Sequence, residues 1–78
     1  MGRILVIEDE DQMRKLLRQV LEDAGYEVEE ASDGLEGIGI YRENPADLII
    51  TDVIMPKKEG MEIILDLKLE FPDVKIIA

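Results

Sequence analysis

Two short apolar runs, Ile4-Leu5-Val6-Ile7 and Leu48-Ile49-Ile50, each end in acid: Glu8-Asp9 after the first, and Asp52, one threonine on, after the second. Continuous β-branched runs of this length have the pattern of strands buried on both faces, which commits the chain to a parallel sheet covered by helices. Two such strands ending at one edge would gather Glu8, Asp9 and Asp52 in a single crevice. In open α/β sheets ligands bind at that edge, beyond the carboxyl ends of the strands. Converging carboxylates repel one another unless a cation sits between them, and an all-oxygen donor set suits magnesium.

The segments between the runs supply the helices. Met13, Leu16, Leu17, Val20, Leu21 and Ala24 recur at helical spacing, with Asp11 as the expected N-cap and Gly25 as the stop. Tyr26 to Glu29 alternates apolar and polar residues, as a half-exposed edge strand does. Ser32-Asp33-Gly34 reads as a turn into a second helix carrying Leu35, Ile38 and Tyr41. That helix is weak, because Gly37 and Gly39 in its body each cost about 1 kcal/mol relative to alanine. Asn44-Pro45 ends it before a strand over 47–51. A third helix is expected from about Glu59 to Glu70 and a fourth strand over 74–78. The order βαβαβαβ predicts one parallel α/β sheet of four strands with right-handed crossovers and helices on both faces, in a single domain spanning 1–78.

Composition removes several classes of function. Cysteine and histidine are both absent, so thiolate chemistry, zinc–histidine sites and a histidine phosphoryl carrier are excluded. A net charge of −10 opposes binding to nucleic acid and to anionic membranes. No apolar run approaches the length of a membrane span, and Met1 to Ile7 is too short for a secretory signal, so a cytoplasmic location is expected.

Three segments together resemble the response-regulator receiver domain of two-component signalling. They are Ile4-Leu5-Val6-Ile7-Glu8-Asp9-Glu10, Asp33-Gly34-Leu35-Glu36, and Leu48 to Asp52 followed by Met55-Pro56 and Gly60. The resemblance implies a flavodoxin-like fold, with Asp52 as phosphoryl acceptor. It further implies Mg2+ held by Glu8, Asp9, Asp52 and the backbone carbonyl of Ile54, with Glu8 acting through water. A sensor histidine kinase is the implied partner, and the domain accepts a phosphoryl group at most, without being an enzyme. Glu10 and Asp11 are read as cap and solvated charge, Lys57 and Lys58 as solvated loop charges, and Asp33 and Asp47 as caps and turn residues.

Complete receivers continue beyond the point that corresponds to Ala78, through a hydroxyl on the fourth strand and a lysine on the fifth. The chain is therefore expected to be a truncated receiver for which conventional switching is doubtful. The fourth strand would be an exposed edge and the sheet faces partly bare, so completion by self-association as a symmetric homodimer is expected, through Val74, Ile76 and Ile77. Leu65 and Leu69, with Met61, form a second apolar stripe on the third helix beside Ile63, Ile64 and Leu67. The alternative reading is a non-signalling structural fragment that keeps the acidic site as a relic.

Overall fold

The computed structural model describes residues 2–51 and 59–77, with the backbone alone for 59–64. The elements are β1 (Arg3–Ile7), α1 (Asp11–Asp23), β2 (Glu27–Ala31), α2 (Gly34–Glu43), β3 (Leu48–Thr51), α3 (Glu59–Glu70) and β4 (Ile76–Ile77). The strands pair in parallel in the order β2-β1-β3-β4. This is the flavodoxin-like parallel sheet that the alternation of strands and helices predicts.

Side chains alternate across the sheet. Leu5, Ile7, Ala31 and Ile49 fall on one face, where they form a buried core with Tyr41 of α2, Leu67 of α3 and Val74. Tyr41 and Phe71 meet edge to face there, with ring centroids 4.8 Å apart. Ile4 and Val6 point to the opposite face, with Glu30 of β2, which pairs with Arg14 and Arg18 of α1. β1 is thus buried on both sides, which is why its sequence is apolar without alternation.

Several local expectations are corrected. Glu10, not Asp11, occupies the N-cap of α1, and its side chain makes no capping bond; Asp11 is instead the first helical residue, where its charge complements the helix dipole. Gly25 does stop the helix, with φ of 96°, a left-handed conformation that glycine adopts without steric cost. Leu35 does not enter the core: it is 83% exposed, because Gly34, Gly37 and Tyr41 form the buried face of α2. Val74 is buried in the core ahead of β4, so it is not part of an exposed edge. Side chains of Met61, Ile63 and Ile64 lie outside the described residues, whereas Leu65 and Leu69 are exposed.

Gly37 has a packing reason. A Cβ there would lie 2.4 Å from Ile7 Cδ1 and 2.7 Å from its Cγ1, so α2 approaches β1 more closely than any side chain allows. Gly39 has no such reason; a Cβ there would meet nothing within 4 Å.

Candidate functional site

Three strands end level. Ile7 is the register partner of Ala31 on β2 and of Thr51 on β3, so the chain leaves all three at the same edge of the sheet. The residues that follow are Glu8-Asp9, Ser32-Asp33 and Asp52. Asp52 and Ile54 lie outside the described residues, so the geometry below concerns the β1 and β2 ends.

Glu8 continues the line of β1: its N–H donates to the Ala31 carbonyl at 3.0 Å, which extends the sheet by one bond. Its side chain is almost wholly buried, and its Oε2 accepts from the Glu10 N–H at 3.1 Å. Asp9 is exposed beside it. A buried carboxylate needs hydrogen bonds or a cation close by, and the Glu10 N–H supplies one such bond to Glu8. The donor set is hard oxygen, which fits Mg2+. Among the described residues, no three acidic side chains converge. Glu8 and Asp9 are brought together; the third expected member, Asp52, is directly bonded to Thr51.

Arg14, which the sequence patterns do not single out, shapes this loop. Its Nη1 donates to the Glu8 carbonyl at 2.8 Å, its Nη2 to Asp11 Oδ1 at 2.5 Å, and its Nε lies 3.3 Å from Glu30 Oε1. One guanidinium thus ties the β1 loop to α1 and β2. The hydrogen bond to Asp11 raises the Arg14 pKa above its already high ordinary value, so its charge is permanent. The sequence signal that was available is the Asp11–Arg14 spacing, which suits an i,i+3 helix pair. Thr51 also escaped notice: its hydroxyl is buried at the end of β3 with no hydrogen-bond partner among the described residues.

Asp33 and Asp47 act structurally, as their sequence contexts imply. Asp33 caps α2 by accepting from the Glu36 N–H at 2.8 Å, and Glu36 reaches back to the Ser32 N–H at 2.9 Å. Asp47 accepts from the Arg3 N–H at 2.8 Å and closes the opposite, amino edge of the sheet. No described helix is long and apolar enough to cross a membrane.

Comparison with known proteins agrees with this geometry. The family model for the response regulator receiver domain matches residues 4–78. The response regulator MprA of a Mycobacterium species is 37% identical over 76 residues, which cover 97% of this chain and 33% of that protein. The crystal structure of the response regulator TrrA from Thermotoga maritima in complex with Mg2+-BeF superposes with a TM-score of 0.90 at 37% identity, covering 97% of this chain and 66% of that one. TrrA is also known in complex with the histidine kinase ThkA, where the match has a TM-score of 0.89 with the same coverage. The chain therefore spans a third of MprA and about two thirds of TrrA, and it belongs to the response regulator receiver domain family.

Proposed function

We propose that residues 1–78 act as one receiver-type phosphoacceptor domain in two-component phosphorelay signalling, with Asp52 as the acceptor. Glu8, Asp9, Asp52 and the Ile54 carbonyl would hold Mg2+, with Glu8 acting through water. Bound there, the cation offsets the negative charge of an incoming phosphoryl group. Glu8 and Asp9 supply the oxygen ligands, and Arg14 positions them by holding the Glu8 carbonyl. The observation that carries this reading is the level ending of β1 and β3, with a buried Glu8 at the first and Asp52 one residue past the second. TrrA, a relative in the same fold, takes up Mg2+-BeF and pairs with a histidine kinase, which supports a cation and a sensor kinase as partners here. A cytoplasmic location follows from that role. The domain accepts a phosphoryl group and does not turn over substrate as an enzyme.

Intact-mass analysis after incubation with an acyl phosphate tests the assignment. A single phosphoryl adduct should form only with Mg2+ and should vanish in Asp52→Asn, while Asp11→Asn retains it. An adduct of equal extent in Asp52→Asn contradicts the reading.

A second reading, a non-signalling fragment that self-associates as a symmetric homodimer, is favoured by one observation. Met13, Leu16 and Val20 form a helical stripe between 42% and 57% exposed, on the same side of the sheet as the exposed Ile77. A second copy would cover this face, against the repulsion of two chains each carrying −10. Light scattering should then give twice the chain mass, more completely at high salt; a monomer at all concentrations and salts removes this reading.

A further inference from the structure

The side of the sheet away from α1 carries a cleft of about 400 Å3 between α2 and α3. Its floor includes the buried Leu67. Leu35 and Leu69 stand on its two walls, 83% and 81% exposed, and Leu65, 58% exposed, lies one turn before Leu69 on α3. Single exposed leucines need no explanation, but leucines gathered around one groove mark an interaction surface.

Three further features belong to the same groove. Gly39 lines it, with open space where a side chain would stand; it weakens α2 and has no packing reason to be glycine. Arg42 and Glu70 form a forked ion pair across it, both bonds at 2.6 Å, which bridges the two helices. Their charges cancel, so Asp66 leaves the lining with a net negative charge. The chain as a whole carries −10.

We infer that the α2–α3 groove docks an amphipathic helix of a partner protein, whose apolar side chains pack between Leu35 and Leu69 and whose flanking lysines or arginines meet the acidic surface. Apolar walls, a preformed cleft and a glycine notch suit helix-in-groove recognition. Charge complementarity selects a basic occupant and speeds its approach. A second copy is disfavoured, because it would bring two groups of the same sign together. None of the residues proposed to hold Mg2+ or to accept the phosphoryl group lines the groove, so this inference stands or falls separately from phosphoryl acceptance.

The probe is a helical peptide with leucine on one face and lysine on the other, titrated into the isotopically labelled chain and followed by backbone amide shifts. A peptide with glutamate in place of lysine serves as control. Shifts should map to α2 and α3, and Leu35→Ser with Leu69→Ser should weaken binding at least tenfold. These exposed substitutions leave the charge unchanged, so attraction by charge alone would not respond to them. Leu16→Ser with Val20→Ser, on the opposite face, should leave the affinity as it is. Equal affinity in all variants, shifts confined to α1, or equal binding of the glutamate peptide would overturn the inference.

Discussion

On one face of the sheet, Leu5, Ile7, Ala31 and Ile49 lie sealed beneath Tyr41 of α2 and Leu67 of α3. On the other, among the described residues, α1 packs chiefly over β1 and β2, and Ile77 and its own Met13, Leu16 and Val20 are exposed. Two helices close the first face and one covers half of the second. The larger apolar core of the described fold therefore lies on the α2–α3 side, and the α1 side adds the buried Ile4 and Val6 together with the pairs of Arg14 and Arg18 with Glu30. Exposed ion pairs contribute little to stability, whereas buried apolar area contributes most of it.

The sharpest contrast between the faces is a pair of truncations. Leu5→Ala opens a cavity in the sealed core and should cost about 2–5 kcal/mol, enough to unfold much of a small domain in a urea titration. Leu16→Ser on the open face should change stability by no more than about 0.5 kcal/mol. A large, concentration-dependent loss in Leu16→Ser would show that the open face is covered by a second copy.

Two glycines of one helix repeat the contrast at closer range. Gly37→Ala drives a methyl group into Ile7, and overpacking of this kind costs about 1–3 kcal/mol, more than the helix gains. Gly39→Ala meets nothing and should stabilise α2 by up to about 1 kcal/mol. Thermal melts of the two variants should therefore shift in opposite directions.

Thr51→Val should raise stability by about 1 kcal/mol, because it removes a buried hydroxyl that has no partner among the described residues. The smallest effect belongs to Arg42 and Glu70. The hydrogen bond from Arg42 holds the Glu70 carboxyl below its ordinary value. Since the folded value is the lower one, the stabilisation is present above the unfolded-state pKa and lost as the pH falls through the folded one. Both side chains are exposed, so Glu70→Gln should flatten the acid limb of stability only slightly.

Much of this was legible in the sequence. β1, buried on both faces, announced itself by its unbroken apolar run, whereas β3 has the same kind of run but is only half-buried at Leu48 and Ile50; Glu59 to Glu70 was bounded correctly by Phe71-Pro72. Leu35 misled because helical spacing identifies an apolar stripe without saying that glycines, not leucine, form the contact with the sheet. Gly37 looked like a helix defect for the same reason: only the 2.4 Å approach of Ile7 reveals its purpose. For the proposed site, Glu8 and Asp9 were suggested by their place at a strand end. Arg14 offered only its i,i+3 spacing from Asp11, since its other partners, the Glu8 carbonyl and Glu30, lie outside α1.

Isothermal titration of Mg2+ tests the acidic edge most directly. Wild type should bind Mg2+ weakly, and both Asp9→Asn and Asp52→Asn should abolish the heat of binding, because each removes a carboxylate from the proposed site. Melting temperatures without Mg2+ should be unchanged or raised in both variants, since less repulsion remains. Equal Mg2+ affinity in wild type and Asp52→Asn would contradict the account.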